Sequence, residues 1–331
     1  VFPIDRGANA CIGGMTAKRA SGTNAVRYGT MKDNVINVEA VMADGAIIRT
    51  ARRAKKTSAG YDLTRLMVGS EGTLGIITDI TLRLQGIPEA MSAARCSFPS
   101  VEAAAKTVMA VIQYGLPVAR IELLDAVMVG AVNAYSKLDL PVSPMLLLEF
   151  HGSDAGVVEQ ADTFGMLAEE EGGTGYTATK TLEERNKLWQ ARHDAYWAML
   201  QIRPGCDAVA SDVCVPISRL AEALTQAEGK AAEMGLIAPT VSHAGDGNFH
   251  ATVLVDMAKA DEVAKAKSFI SWLNDMAIEM EGTCTGEHGI GQGKRPYLLR
   301  ELGAETLAVM GAIKKALDPD NIMNPGKILP E

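Results

Sequence analysis

The ten residues from Val241 to His250, VSHAGDGNFH, constrain the fold most, because they specify an antiparallel hairpin. Asp246-Gly247 is a dipeptide favoured in two-residue hairpin turns, where both central residues need positive φ. Counting outward from this turn predicts that His243 lies opposite His250. Opposed residues point to one face with Cβ atoms about 4.5–5.5 Å apart, a spacing at which two imidazoles can share a zinc-like ion. The alternative is a histidine pair with only a structural role.

A second cluster, Cys284–Arg295, combines four glycines with a carboxylate, an imidazole and two cations. The glycines predict a loop that approaches a ligand closely. Glu287 and His288 are neighbours and are expected to point in different directions, so only one of them serves as a ligand. We expect Glu287 to join the two histidines as third metal ligand and His288 to act as a base, which leaves coordination positions open for substrate. Cys284 is an alternative ligand, although a buried thiol fits it better.

Composition narrows the class of protein. A chain of 331 residues is long enough for two domains, and a net charge of −8 without a basic stripe argues against a nucleic-acid partner. Five scattered cysteines without a CxxC pair predict no disulfide framework and favour a reducing compartment. Neither a signal peptide nor an apolar run of about 20 residues is visible in the sequence. Because the chain starts with Val1 in the middle of a motif, we expect it to be a fragment.

The order of predicted elements indicates an α+β fold. Residues 1–87 are predicted as strands, tight turns and glycine-rich loops, with a hairpin around Asp44-Gly45 and a strand over 76–84. After Pro88, strands and helices alternate. The strands are predicted at 92–98 and 145–150, and the helices at 101–114, 155–171, from Thr181 through Tyr196, 217–234, 261–281 and 303–317.

Two glycine-rich segments, 12–22 and 68–77, are candidates for holding a large anionic cofactor. Backbone N–H groups at glycines can approach phosphate oxygens or flavin carbonyls closely. Neither segment has the GxGxxG order followed by a helix that nicotinamide sites use. Tight turns without a ligand are the alternative for either segment.

The motifs together resemble the FAD-linked oxidases of the vanillyl-alcohol-oxidase (PCMH) type, and among them the D-2-hydroxy-acid dehydrogenases. The resemblance spans nearly the whole chain, and two further runs resemble the cytochrome-type D-lactate dehydrogenase branch. The matching runs are IGGMTAKRASGTNAVRYGT, YDLTRLMVGSEGTLGIIT, HAGDGNFH, TGEHGIGQGK and NPGK, and the branch-specific runs are LWQARHDAYWA and RPGCDAVASDVCVPISRL. The family begins with half of an FAD domain that is not in this sequence.

The resemblance implies two domains. Residues 1–87 would be the second part of a PCMH-type FAD-binding domain. Residues 88–331 would be an FAD-linked oxidase C-terminal domain of ferredoxin-like type, with an antiparallel cap sheet over about 90–257 and a helical segment over about 260–331 that returns to the flavin.

The resemblance also assigns roles to residues. His243, His250 and Glu287 would hold zinc or manganese, His288 would be the base, and Arg192 would bind the substrate carboxylate. The cofactor-binding positions implied for FAD are Gly13, Gly14, Met15, Ala17, Gly22, Tyr28, Gly29, Glu71, Gly72, Gly75, Ile76, Ile77, Asn248 and Asn324.

The implied reaction is metal-assisted oxidation of a D-2-hydroxy acid to the 2-oxo acid, with electrons passing on to cytochrome c or a quinone. The 2-hydroxyglutarate branch has a lysine two residues before the position of Asp212, where this chain has Ala210, so a monocarboxylate such as D-lactate is favoured. At family level we expect a homodimer and a cytoplasmic location, peripheral at the inner membrane and mitochondrial in a eukaryote.

Four alternatives remain open. A glycolate oxidase flavin subunit shares every motif, and a D-2-hydroxyglutarate dehydrogenase shares the chemistry. A non-catalytic metal-binding fragment is the alternative from a different class. The fourth is a flavoenzyme of carbon–oxygen bond chemistry, as in ether-lipid synthesis, against which the runs around Trp189 and Cys214 argue.

Overall fold

The computed structural model describes residues 1–5, 10–179 and 181–330, which fall into two compact units. The first unit contains Val1–Ile87 and Cys284–Glu331, and the second contains Pro88–Thr283. The break after Ile87 coincides with the predicted boundary between residues 1–87 and 88–331. The segment from Cys284 onward lies in the first unit, although the predicted boundaries group it with the second domain.

The first unit is built on a small antiparallel sheet in the order β2-β1-β3. Its elements before Pro88 are α1 (Ile12–Lys18), α2 (Ala25–Tyr28), α3 (Met31–Asn34), β1 (Val35–Val41), β2 (Ile47–Arg49), α4 (Leu63–Met67) and β3 (Ile76–Leu82). The predicted hairpin is confirmed, since β1 pairs with β2 around a turn in which Gly45 has φ 84°. The predicted strand over 76–84 is confirmed as β3.

One segment of this unit differs from its prediction. The glycine-rich stretch that begins at Ile12 is a helix and not a loop. The Cys11 thiol accepts a hydrogen bond from the N–H of Gly14 at 3.2 Å and so caps the first turn. Met15 is buried in the core of the unit, and this tertiary contact stabilises helix that two glycines by themselves disfavour.

The second unit is an antiparallel sheet covered by helices. Its elements are β4 (Ala90–Ser97), α5 (Val101–Tyr114), β5 (Val118–Leu124), α6 (Ala126–Ser136), β6 (Met145–Gly152), α7 (Asp154–Glu170), β7 (Thr174–Ala178), α8 (Leu182–His193), α9 (Ala195–Leu200), β8 (Asp207–Ala210), β9 (Val213–Cys214), α10 (Leu220–Glu233), β10 (Thr240–His243), β11 (Asn248–Val255) and α11 (Ala260–Glu279). The strand order is β7-β4-β6-β5-β10-β11-β8, and β9 pairs with β11.

Local signals in the sequence predicted most of these elements. Ser100 caps α5 by accepting the N–H of Ala103, and Gly115 ends that helix in the left-handed conformation. The capping box of Thr181 and Glu184 opens α8 as predicted. That helix ends earlier than predicted, because the chain leaves it at Asp194 and Tyr196 lies on α9.

One face of this sheet carries the chemistry. The helices α6, α8 and α9 pack on it through a core that includes Leu147, Trp189 and Val241. Residues alternate between the two faces of a strand, so Glu122 on β5, Glu149 on β6 and His243 on β10 also point to this face. We call it the α8 face.

The chain ends in α12 (Arg295–Leu317), which belongs to the first unit. The helix is kinked at Gly303, where φ is 81° and ψ is 166°. The predicted helix began at this kink and missed the preceding turns. In the part of the chain that the structure describes, no helix is long and apolar enough to cross a membrane.

Candidate active site

The two histidines of the hairpin lie on the same face of the sheet, but they are not directly opposed as predicted. His243 pairs with Asn248, and His250 pairs with Val241. The pairing is therefore shifted by two residues, and a shift of two preserves the face because side chains alternate with period two. The imidazole rings are diagonal neighbours with centroids 5.5 Å apart and planes at 85°.

The shift arises from the turn. Asp246 lies in a 3-10 turn over Ala244–Asp246, and Gly247 alone takes the left-handed conformation, with φ 76°. The loop therefore has four residues and not two. Gly247 is required for a second reason, since a Cβ there would lie 2.1 Å from the carbonyl oxygen of Val215.

A buried glutamate from another strand holds the first histidine. Glu122 on β5 lies opposite His243 on β10, and its Oε1 is 2.7 Å from His243 Nδ1. Its Oε2 accepts hydrogen bonds from Arg192 of α8, at 2.8 Å from Nε and 2.6 Å from Nη2. Burial by itself raises the pKa of Glu122, but the interactions with His243 and Arg192 outweigh it and lower that pKa. We call Glu122, His243 and Arg192 the Glu122 cluster.

The second histidine is held by the backbone. His250 Nδ1 lies 3.0 Å from the carbonyl oxygen of Ser211 and 3.7 Å from Asp212 Oδ1. In both histidines the Nδ1 side is thus engaged, and Nε2 is the atom placed to coordinate. Metal-binding histidines commonly donate their other N–H to a carboxylate or a backbone carbonyl, and one of each is found here. Imidazole nitrogens bind zinc at about 2.0–2.1 Å, and binding of zinc or manganese by this pair stays a prediction.

Asn248, predicted to lie near flavin and substrate, has its amide group engaged within the sheet. Its Nδ2 donates to Asp212 Oδ1 at 3.0 Å and to the carbonyl of Val213 at 2.8 Å. An amide has two donor hydrogens, so both are used and only the oxygen remains for another group.

The Arg192 guanidinium, predicted to bind a substrate carboxylate, has one edge on Glu122. With Nε and Nη2 bound there, Nη1 is the atom that would face a substrate. The Nε edge of the guanidinium is therefore used inside the protein, whereas its Nη1–Nη2 end still has N–H donors for a carboxylate, and the role of Arg192 stays a prediction.

The loop that carries Glu287 and His288 belongs to the first unit, so their assignments as ligand and base stay predictions. The two side chains do not diverge as expected, because His288 Nε2 lies 3.8 Å from Glu287 Oε1. The chain bends at these residues, and the alternation of an extended strand does not apply. Cys284 is buried, as expected for a structural thiol, and burial raises the pKa of its thiol to about 12.

Glu71, predicted to bind cofactor, holds this loop. Its carboxylate accepts the backbone N–H of Ile290 at 2.7 Å and of Gly291 at 2.9 Å. Gly289 has φ 83°, and a Cβ there would lie 2.6 Å from Glu71 Oε1. The carbonyl of Glu71 also accepts the side-chain amide of Asn324, another predicted cofactor residue. These contacts tie the second glycine-rich segment to the predicted catalytic loop within one unit.

The predicted cofactor glycines differ in what surrounds them. Gly22, Gly29 and Gly75 are needed by the protein's own packing, because a Cβ would lie 3.0 Å or less from Asp5, Asp33 and Val41 respectively. Gly13 has open space where a Cβ would be.

The remaining predicted cofactor positions lie in or near the elements of the first unit. Gly14, Met15 and Ala17 lie in α1, Tyr28 in α2, Gly72 in the turn before β3, and Ile76 and Ile77 in β3.

Two observations fit a polar cofactor in this unit. The open approach to Gly13 would admit a ligand to the backbone. The buried hydroxyl of Ser70, beside Glu71, has no hydrogen-bond partner in the described part of the chain. A buried hydroxyl without a partner is unfavourable, and a flavin oxygen or nitrogen would satisfy it.

Comparison with known families identifies this arrangement. Residues 87–328 match the model described as "FAD linked oxidases, C-terminal domain", and residues 1–51 match the model described as "FAD binding domain". The chain belongs to the FAD-linked oxidase family. The predicted fold class and the predicted FAD cofactor are therefore supported.

The curated relatives of this FAD-linked oxidase are longer than the chain. It is 50% identical to "Probable D-lactate dehydrogenase, mitochondrial" of Danio rerio, covering 99% of this chain and 67% of that protein. It is 45% identical to "D-lactate dehydrogenase [cytochrome], mitochondrial" of Arabidopsis thaliana, covering 99% and 58%. It is 36% identical to glycolate oxidase subunit GlcD of Bacillus subtilis, covering 96% and 67%.

Solved structures agree on the fold. p-Cresol methylhydroxylase with substrate bound superposes with a TM-score of 0.72 at 16% identity, covering 95% of this chain and 68% of that one. Alkyldihydroxyacetonephosphate synthase gives 0.67 at 17% identity, covering 95% and 58%. At such identities the likeness concerns the fold alone.

Sequence reasoning missed Glu122 and Ser70. The signal for Glu122 was an acidic residue inside a mostly apolar strand, VARIELL, because a buried glutamate requires a partner. Ser70 lies within the candidate cofactor segment 68–77 but was not singled out there, since its missing partner is visible only when its surroundings are folded.

Proposed function

We propose that the protein containing this chain oxidises a D-2-hydroxy acid, D-lactate in the first place, to the corresponding 2-oxo acid. The observation that carries the proposal is the His243–His250 pair on one face of the sheet, with both Nδ1 atoms facing protein acceptors, an arrangement in which Nε2 would be the coordinating atom. Identity of 38–50% to D-lactate dehydrogenases along 99% of the chain supports the substrate class.

Each group would have a separate task. When bound, FAD takes up the two electrons and the α-hydrogen, and a divalent ion lowers the pKa of the α-hydroxyl. His243, His250 and Glu287 would hold the ion, and His288 would accept the hydroxyl proton at an imidazole nitrogen. A positioned base of this kind contributes about 10²–10⁴ in rate. In the first unit, Ser70 and the backbone at Gly13 would contact the cofactor.

Arg192 would hold the substrate carboxylate through Nη1, while Glu122 fixes the rest of the guanidinium. A carboxylate held at a fixed point determines which face of the α-carbon is presented for oxidation. Ala210 in place of a lysine gives a second carboxylate no cation at that position, which favours lactate over 2-hydroxyglutarate. The expected electron acceptor is cytochrome c or a quinone, and mitochondrial relatives suggest a mitochondrial location.

The glycolate oxidase subunit is the second candidate, because GlcD of Bacillus subtilis is 36% identical along 96% of the chain. Glycolate and lactate are both monocarboxylates, so Ala210 does not separate them. Substrate preference and association with partner subunits would separate the two candidate functions.

The test is the flavin absorbance of the whole protein under anaerobic conditions. D-lactate is expected to bleach it and L-lactate is not, and a chelator should abolish the bleaching until zinc or manganese is restored. Bleaching by glycolate alone would favour the second candidate. A protein without flavin would contradict the oxidation.

The base assignment has its own test. His288→Asn should lower kcat far more than it raises KM, because the variant loses the proton acceptor while the substrate contacts remain. Near-normal kcat in His288→Asn would contradict the role of His288.

A further inference from the structure

The Glu122 carboxylate lies between two groups of the proposed site. It is fully buried, and each of its oxygens has a different partner. Oε1 lies 2.7 Å from His243 Nδ1, and Oε2 accepts from Nε and Nη2 of Arg192. Glu122 thus contacts both a residue predicted to bind metal and a residue predicted to bind substrate.

We propose that Glu122 is a positioning residue that presents His243 Nε2 to a divalent cation and fixes the direction of Arg192. This inference rests on the proposed function. It concerns a residue that is not itself a predicted ligand or substrate-binding group and acts through His243 and Arg192.

The first step is the tautomer of His243. A neutral imidazole has one N–H and one lone pair, and an ionised carboxylate only accepts hydrogen bonds. Glu122 Oε1 therefore requires the proton on Nδ1, which leaves the lone pair on Nε2. A carboxylate behind a histidine also makes the imidazole a stronger ligand.

The second step is the shared carboxylate. Arg192 reaches Glu122 from α8, and its side chain is only 14% exposed. The guanidinium is rigid and planar, so binding Nε and Nη2 sets the direction of Nη1. Glu122 thus orients both Nε2 of His243 and Nη1 of Arg192.

The third step concerns a glutamine at this position. A carboxamide has one acceptor oxygen and one donor nitrogen. Arg192 has only donors to offer, so the oxygen is expected to turn to it and the NH2 group to face His243 Nδ1. That arrangement favours the proton on Nε2, where it blocks coordination.

The chain provides a matched control. Glu149 on β6 is also fully buried on the α8 face, with His151 Nε2 2.7 Å and Arg185 Nη2 2.8 Å from its Oε1. We call Glu149, His151 and Arg185 the Glu149 cluster. Glu149→Gln disturbs a buried glutamate with the same kinds of partner, but neither partner is a predicted site residue.

The experiment measures Zn²⁺ affinity of the full chain by competition with a chelator, for wild type, Glu122→Gln and Glu149→Gln. We expect Glu122→Gln to bind Zn²⁺ about 10–100-fold more weakly. Glu149→Gln should stay within about threefold of wild type. With ¹⁵N-labelled histidine and no metal, His243 should carry its proton on Nδ1 in wild type and on Nε2 in Glu122→Gln.

The outcomes separate this inference from the proposed function. If His243→Ala and His250→Ala weaken Zn²⁺ binding but Glu122→Gln leaves it unchanged, the positioning role is overturned and the metal site stands. If the two histidine variants bind Zn²⁺ like wild type, the proposed metal site itself is wrong. Should Glu122→Gln fail to fold, Glu122→Asp draws the carboxylate back by one methylene. Weaker Zn²⁺ binding in that variant supports the proposal, and unchanged binding overturns it.

Discussion

The Glu122 cluster and the Glu149 cluster are built from the same residue types on the same face of one sheet, and they differ in what surrounds them. His243 has a second imidazole on its face, with ring centroids 5.5 Å apart, whereas His151 is bound to a glutamate two residues away on its own strand. Glu122 uses both oxygens, while Glu149 Oε2 has no partner among the described residues. A buried glutamate, histidine and arginine therefore do not by themselves indicate a site.

The charges of the two clusters also differ. Glu149 lies near two guanidinium groups, since Arg120 Nε is 3.7 Å from Oε1 and Arg120 also stacks over Trp189 at 4.7 Å. Glu122 has one arginine. Arg120 and the Glu149 cluster together place two guanidinium groups around one carboxylate, which makes this a poor place for a cation and a strong anchor for α8. The second imidazole and the balance of charge therefore distinguish the predicted metal site at the Glu122 cluster from the anchor at the Glu149 cluster.

The substitution Glu149→Ala should have the largest effect, and it tests whether Glu149 anchors α8. Glu149→Ala leaves Arg185 and Arg120 without their buried anion, so the free energy of unfolding should fall by about 3–5 kcal/mol. Urea denaturation measures it, and Glu159→Ala on the exposed face of α7 is the control, expected within about 0.5 kcal/mol of wild type. An equally small change in Glu149→Ala would show that the cluster does not anchor α8.

The second test measures how the free energy of unfolding depends on pH in acid. Burial by itself raises the pKa of Glu149, but hydrogen bonds from His151 and Arg185 outweigh it and hold that pKa at about 2. The ionised form is therefore favoured by folding, and its contribution is present above the unfolded pKa of about 4.3 and lost as pH falls towards 2. Between about pH 5 and pH 1, wild type should therefore lose roughly 3 kcal/mol more stability than Glu149→Gln. Parallel stability curves for the two proteins would refute this.

The third test asks which histidine binds metal. His243→Ala should weaken Zn²⁺ binding at least about 100-fold, because loss of a ligand exceeds the 10–100-fold typical for an outer partner. His151→Ala removes a buried histidine of the other cluster and should leave Zn²⁺ affinity unchanged. Equal losses in both variants would mean that the clusters do not differ in the way described.

The smallest effect is expected on KM, when Arg192 and Arg185 are each replaced by lysine. Arg192→Lys keeps the charge but loses the planar geometry that binds Glu122 and directs Nη1, so KM for D-lactate should rise about tenfold with a smaller change in kcat. Arg185→Lys should alter stability and leave KM in place. A KM that responds to Arg185→Lys and not to Arg192→Lys would reverse the assignment.

The sequence predicted the local structure around these clusters well. The predicted helix starts at residue 101 and at Thr181 are set by the Ser100 cap and the Thr181 capping box, and both depend on residues within a few positions of one another. The same kind of rule failed at Ile12–Lys18, where glycines suggested a loop and burial of Met15 stabilises a helix. Local preference is weak there, and tertiary contact overrides it.

For the candidate site, the sequence by itself determined that His243 and His250 share a face, because an error of two residues in register leaves the parity unchanged. Only the tertiary structure decided the diagonal register, which depends on the close approach of Gly247 to Val215. It also decided the partner of His243, since Glu122 is 121 residues away along the chain. Parity and caps are short-range properties of a chain, whereas strand pairing and burial bring together residues that no local pattern links.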